Sequence, residues 1–190
     1  MEKVIRSAPK KRDRLFLLVL SRTGRRISEV LGQRVEHAGM AVKAPGLRPK
    51  DIDDRDNKLV FTVLKKKRPE TVVNIVPGSL IKELQDYVRE YNIGDDKPIF
   101  KFGRKNGYYV VRNAWKASGI GPVGQKKGPL HPHHFRHSFA IAMARKLKDP
   151  RDIAKLKNML AHSSLEMTLW YISHYSLAEQ QALIEDTWGK

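Results

Sequence analysis

The segment His131-Pro132-His133-His134-Phe135-Arg136-His137 gathers four imidazoles and a guanidinium, and it is followed by His162 and, nine residues later, by Tyr171. Upstream stands Thr23-Gly24-Arg25-Arg26-Ile27-Ser28-Glu29. Cations with one phenol suit an attack on a phosphodiester. A phosphodiester in transfer builds negative charge on its non-bridging oxygens, and the planar fork of Arg binds two oxygens at once. Two Arg from distant parts of the chain would make a clamp. His133 and Arg136, three residues apart, fall on one face of a helix, and an imidazole titrating near neutrality suits either proton transfer or phosphate binding. A phenol with a pKa of about 10 is a poor nucleophile at neutral pH. Surrounding cations and a base make its phenolate accessible.

Each of these residues has a plainer reading. An Arg in so basic a chain is usually a solvated surface cation. His131, His133, His134 and His137 could share a metal ion, since His at i and i+4 meet on a helix, although no H-E-x-x-H carboxylate accompanies them. Tyr171 could be a half-buried aromatic beside Trp170, and Tyr175 offers a rival phenol four residues on.

The elements that must position these groups can be read from periodicity. Leu15, Leu18 and Val19 have helical spacing, and the helix should stop near Thr23-Gly24, with Thr23 capping a second helix that carries Ile27, Val30 and Leu31. Residues 32–46 read as an irregular insertion, because Gly32, Gly39, Pro45 and Gly46 interrupt any period. Lys58 to Leu64 and Thr71 to Val76 are rich in β-branched residues and predict two strands, with residues 65–70 as a basic turn. Leu80, Leu84, Tyr87, Val88 and Tyr91 predict a helix after Ser79, and another is expected around Tyr108 to Lys116. A loop from Gly119 to Gly128 leads to helices over His133 to Leu147 and Asp152 to Leu160, a short helix after Ser163-Ser164, and a terminal helix over 177–188. His162 and Tyr171 cannot share a face of one straight helix, because nine residues rise about 13 Å and turn two and a half times. The chain must bend between them, and Ser163-Ser164 supplies a cap at that place. The expected class is α+β, mostly α-helical with a small antiparallel sheet.

Composition narrows the partner. The chain has 190 residues, 37 Lys and Arg against 20 Asp and Glu, and a net charge of +17, the footprint of a protein that sits on a polyanion. Anionic lipid would call for a basic amphipathic helix or an anchor, and neither is evident. Nucleic acid is the expected partner, in an intracellular, cytoplasmic setting. With no cysteine, the chain has no disulfide framework, thiol nucleophile or Cys-based zinc site. Nothing in length or composition calls for more than one domain.

The blocks Thr23-Gly24-Arg25-Arg26-Ile27-Ser28-Glu29, His133-His134-Phe135-Arg136-His137 and Leu160-Ala161-His162 with Tyr171 stand in the order of the T-G-x-R-x-S-E, H-x-x-R-H and L-G-H…Y signatures. By them the chain resembles the catalytic domain of the tyrosine recombinases, the phage integrase family, from about Asp13 to Tyr175. The resemblance implies that fold, with a three-stranded antiparallel sheet whose first strand is Leu47 to Asp53. It implies that Arg26 and Arg136 are the clamp, with Glu29 holding the first guanidinium, and that His133 accepts a proton or binds phosphate with His137 in support. It further implies that His162 stabilises the charged state and that Tyr171, picked out by its family spacing from His162, is the nucleophile. The general acid is expected on the hairpin among Lys65, Lys66 and Lys67; matching the run Phe61 to Leu64 to the family strand points to Lys66. Arg22 and Arg25 fall off the family's arginine position and keep the reading of surface cations. Ala161 stands where the family has Gly.

The reaction so implied is site-specific exchange of double-stranded DNA without metal, ATP or any cofactor, through a 3′-phosphotyrosyl bond and a Holliday junction within a tetramer. The family's N-terminal DNA-clasping domain is expected to be absent from this chain, so that residues 1–190 are the catalytic domain of something longer, and an archaeal mobile element would suit the Lys and Arg content. The terminal helix carries an apolar stripe of Leu177, Ile184 and Trp188, expected to dock in trans on a neighbouring protomer. Two other readings use the same features: a type IB topoisomerase relaxing supercoils, and a basic DNA-binding module without catalysis.

Overall fold

The computed structural model describes residues 1–37, 40–65, 68–122, 128–147, 149, 152–162 and 164–173, and for residues 37, 40, 65 and 170–173 it describes the backbone alone. The chain divides into two compact units, Met1–Phe139 and Ala140–Lys190, with the boundary inside one helix.

The first unit begins with α1 (Glu2–Arg6), α2 (Lys11–Thr23) and α3 (Ile27–Leu31). In α2, Leu15, Phe16, Leu17, Val19 and Leu20 are buried, and Phe16 meets Phe100 and Phe102 edge-on at centroid distances of 5.4 and 5.2 Å. Each such apolar side chain contributes roughly 1.5–3 kcal/mol on leaving water. The helix ends where expected, at Gly24 in the left-handed region (φ 62°), with the Gly24 N–H donating to the Leu20 carbonyl at 3.1 Å. Thr23 does not cap the following helix. Its hydroxyl donates back to the Val19 carbonyl at 2.6 Å and accepts the Arg25 N–H at 3.2 Å, so it finishes α2. The N-cap of α3 is Arg26, whose N–H is satisfied by Glu29 at 2.9 Å.

Residues 32–46 are not irregular. They form an antiparallel hairpin of β1 (Gly32–His37) and β2 (Met40–Pro45), with Val35 opposite Val42. Gln33, Val35, Val42 and Ala44 are partly or fully buried while Arg34, Glu36, Ala41, Lys43 and Pro45 are exposed, a period of two that the glycines at its ends obscure. Those glycines are what the hairpin's base demands. A Cβ on Gly32 (φ 88°) would lie 2.7 Å from the Gly46 nitrogen, and the Leu47 N–H donates to the Val30 carbonyl at 2.9 Å. The chain therefore leaves and returns at one point.

After a 3-10 turn (Pro49–Asp51) come β3 (Ile52–Asp53), β4 (Lys58–Lys65) and β5 (Arg68–Ile75), an antiparallel sheet in the order β3-β4-β5. Leu59, Phe61 and Val63 alternate into the core. The basic turn is shorter than expected, because the ladder continues to a Lys65–Arg68 pair and only positions 66 and 67 separate the strands. Pro69 takes part opposite Leu64; on an edge strand its missing N–H is tolerated.

Two further helices close the core: α4 (Gly78–Glu90) buries Leu80, Ile81, Leu84 and Tyr87, and α5 (Arg104–Ser118) buries Val110, Val111 and Ala114. Helix α5 starts four residues before the expected position, since Gly107 fits inside it: the Ile27 and Leu31 side chains of α3 lie where a Cβ would sit, at 2.7 and 2.9 Å. Helix α6 (Pro132–Ala144) crosses the boundary. The second unit holds α7 (Asp152–Leu160) and α8 (Glu166–Ser173), which pack on one another. The expected terminal helix over 177–188 lies outside the described residues. No helix among the described residues is long and apolar enough to cross a membrane.

Candidate active site

Because α2 stops at a left-handed glycine, the Gly24 carbonyl is turned out of the helix ladder, and Arg136 of α6 takes it. The Arg136 Nη1 donates to the Gly24 carbonyl oxygen at 2.9 Å across 112 residues of sequence, from a buried position. Arg26, two residues beyond Gly24, keeps its side chain 39% exposed while its Nη1 lies 3.1 Å from Glu29 Oε1. Glu29 does what was expected of it and more: one carboxylate, itself buried, receives both the Arg26 backbone N–H and the Arg26 guanidinium.

Arg25 overturns its reading as a surface cation. Its side chain is fully buried, with Nε 3.7 Å from Glu29 Oε2. Burial pushes its pKa below the ordinary arginine range, Glu29 pulls it back up, and Arg26 lowers it again. Glu29 is thus shared by two guanidiniums, and the surplus positive charge has its exposed end at Arg26. Behind this turn, the buried Asn74 of β5 donates from Nδ2 to the Thr23 carbonyl at 3.3 Å. Arg22 is a surface cation as expected, paired with Glu2 at 2.5 Å.

His133 faces the same corner. Its pKa is depressed, first by desolvation and then by His131, His137, Arg136 and Arg26; a neutral ring among cations is poised to accept a proton or a hydrogen bond. His137, half-buried, is depressed by desolvation and then by His134 and Arg136. The neighbouring imidazoles have structural duties. His134 Nδ1 accepts the His131 N–H at 2.8 Å at the start of α6, and the His131 ring stacks parallel to that of His133 at 5.5 Å. Among the described residues no three His, Cys, Asp or Glu side chains form a group that could hold a metal ion.

Arg26, His133 and Arg136 are thus brought together within the first unit. His162 and Tyr171 belong to the second. His162 is buried and its Nδ1 lies 3.0 Å from Thr168 Oγ1. The bend expected after it begins one residue earlier. Ala161 takes φ 52°, its N–H donates to the Asn158 carbonyl and the His162 N–H to the Lys157 carbonyl, each at 3.0 Å, the Schellman closure of α7. That backbone does require the left-handed region, so alanine in place of the family's glycine is strained there. Tyr171 lies on the backbone of α8. Lys66, Lys67 and Tyr175 lie outside the described residues, and Lys65 closes β4.

Some residues escaped the sequence reading. Arg25, Asn74 and Thr168 carry no motif that marks them. The stripe Lys105, Tyr109, Arg112 and Lys116 on α5 could have been found: its members stand at i, i+4, i+7 and i+11, all are exposed, Tyr109 to 48%, and the helix contains no Asp or Glu. Cations interleaved with an aromatic on one helical face suit a nucleic-acid backbone.

The sequence profile of the phage integrase family matches residues 1–177. The chain is 30% identical over 193 residues to the tyrosine recombinase XerA of Thermococcus kodakarensis, covering 95% of this chain and 59% of that protein. To the tyrosine recombinase XerA of Pyrococcus furiosus it is 30% identical over 177 residues, covering 90% of this chain and 54% of that protein. It therefore spans little more than half the length of these relatives. Among solved structures, the fold is similar to a XerA recombinase crystal structure with a TM-score of 0.73 at 20% identity, covering 98% of this chain and 62% of that one. The catalytic domain of bacteriophage HP1 integrase gives a TM-score of 0.59 at 20% identity, covering 97% and 89%.

Proposed function

The chain belongs to the phage integrase family, and from that premise we propose that it cleaves and rejoins double-stranded DNA at specific sites through a tyrosyl intermediate. The Tyr171 phenolate attacks the scissile phosphorus, forming a 3′-phosphotyrosyl bond as the bond to the 5′ oxygen breaks; that oxygen takes a proton from Lys66 of the β4–β5 hairpin. Attack by the 5′ hydroxyl of a partner strand, its proton passing back to Lys66, reverses the step and returns the phenolate and a recombined strand. The linkage conserves the phosphodiester bond, so neither metal nor ATP is consumed.

Arg26, Arg136 and His162 stabilise the charge that builds on the non-bridging oxygens, where preorganised donors give the largest single effect, and His133 holds or receives a proton at that oxygen set. The observation that carries this reading is the convergence of Arg136 on the Gly24 carbonyl, which sets the two arginine-bearing segments side by side. The stripe on α5 and the net charge of +17 support a duplex as partner, with binding that weakens steeply as salt rises. Strand exchange then proceeds in a tetramer on DNA, with residues 177–188 docking in trans.

A duplex nicked close to the cleavage point traps the adduct, because the short fragment that bears the released 5′ hydroxyl diffuses away. Incubation followed by a denaturing gel should show protein covalently joined to DNA, lost in Tyr171→Phe with DNA binding retained and kept in Tyr175→Phe. Lys66→Ala should be rescued by a 5′-thio bridging phosphate, whose thiolate leaves without a proton. An adduct that persists in Tyr171→Phe moves the nucleophile elsewhere. Binding without any adduct reduces the chain to a DNA-binding module, and relaxation of supercoils without a sequence requirement assigns it to topoisomerase chemistry.

A further inference from the structure

The buried hydroxyl of Thr168 has no part in the reaction described above, yet it lies 3.0 Å from Nδ1 of His162, and neither side chain is open to solvent. Among the described residues, Nδ1 of His162 is the partner of this hydroxyl. A hydroxyl carries one proton to donate and lone pairs to accept. If the neutral ring held its proton on Nδ1, the contact would be satisfied from the ring and the Thr168 proton would be buried without an acceptor, which costs the full desolvation of the group. Donation from Thr168 to Nδ1 satisfies both, and it leaves the ring proton on Nε2.

We propose that Thr168 is a positioning residue that holds His162 as the Nε2–H tautomer, presenting a donor to a non-bridging oxygen of the scissile phosphate. The inference rests on the proposed strand cleavage for its purpose, and on the hydrogen bond for its geometry. A ring with an unprotonated Nε2 would set a lone pair against the phosphate oxygens; a ring with Nε2–H is complementary to them before the reaction begins. Thr168 also sits three residues before Tyr171 on α8, on the same helical face. The bond therefore ties the imidazole, at the end of the strained turn at Ala161, to the helix that carries the nucleophile. Second partners of this kind commonly hold histidines in one tautomer and orientation, and their loss costs about 10–100-fold in metal-site activity or affinity.

The test compares Thr168→Val, which keeps the shape and removes the hydroxyl, with Thr168→Ser, which keeps the hydroxyl and removes the methyl. Adduct formation on the nicked duplex, at saturating DNA, should slow about 10-fold or more in Thr168→Val and return to within about threefold of wild type in Thr168→Ser, with DNA affinity unchanged in both. Nitrogen-15 shifts of the His162 ring supply the readout that packing alone would not move. The wild-type neutral ring should carry its proton on Nε2, and Thr168→Val should shift it toward Nδ1. A wild-type ring protonated on Nδ1 overturns the proposal without any variant. So does a Thr168→Val protein that cleaves at the wild-type rate, or a Thr168→Ser protein as slow as Thr168→Val, which would give the methyl group the role. If the wild-type protein forms no adduct at all, the strand-cleavage reading fails, and the ring spectra alone decide whether Thr168 sets the tautomer.

Discussion

The corner around Arg26 and the turn around His162 both hold side chains for one proposed chemistry, yet they are built in opposite ways. The arginine corner is assembled from far apart in sequence: Arg136 reaches Gly24 across 112 residues and Asn74 reaches Thr23 across 51, while Glu29 serves two guanidiniums from a buried position. The histidine turn is assembled locally, from a Schellman closure at Ala161 and a side-chain bond spanning six residues. Long-range assembly in a dry interior makes each member depend on the others. Local assembly can carry a defect, such as the alanine at φ 52°, without the rest giving way.

That contrast can be broken most sharply at Arg136. In Arg136→Lys a single ammonium cannot both donate to the Gly24 carbonyl and offer a fork to phosphate, so cleavage of the nicked duplex should fall about 10²–10³-fold while DNA affinity changes little. Wild-type cleavage rates in this variant would show that the corner tolerates loss of its long-range tie. Next in size, Glu29→Gln removes the anion shared by Arg25 and Arg26, and the loss of a buried counter-charge should cost about 3 kcal/mol of stability, read from the denaturant midpoint. An unchanged midpoint would mean that Arg25 is held by other groups.

In the histidine turn the sign should reverse. Ala161→Gly relieves a left-handed backbone that costs an L-residue about 1–2 kcal/mol, less the entropy glycine loses on folding, and a gain of about 1 kcal/mol is expected by thermal unfolding. A destabilised Ala161→Gly protein would contradict the strain. The smallest effect concerns pH. His131, His133 and His137 have folded-state pKa values below the ordinary 6.5, so the stability they contribute is present above that value and is lost as pH falls through the folded values. The denaturant midpoint should therefore decline as pH falls below about 6.5, less so in His137→Asn; a flat profile in the wild-type protein would remove this dependence.

The sequence revealed much of this, unevenly and for physical reasons. The helices α2 and α4 are legible because each repeats apolar residues at helical spacing, and α2 stops at the expected glycine; α6 ends at Ala144, three residues before the expected Leu147. In the β1–β2 hairpin the glycines at the base look like breakers in the sequence, although they are what lets two backbones touch. The residue type of Thr23 suits an N-cap, yet its hydroxyl turns back to the Val19 carbonyl. Arg25 shows the limit most clearly: beside Arg26 in sequence, it points into the core while its neighbour points out.

By itself the sequence determined the family blocks, the order and approximate ends of the main elements, the net charge and the one tyrosine spaced from His162 as the family requires. Those are local or additive properties: a period, a cap, a count, a motif. Tertiary structure alone decided which arginine is buried, which carbonyl Arg136 takes, why Glu29 must be a carboxylate and which hydroxyl touches His162. Such pairings depend on where separate segments meet in a low-dielectric interior, where each buried charge or proton must find a partner, and no single stretch of the chain contains that information.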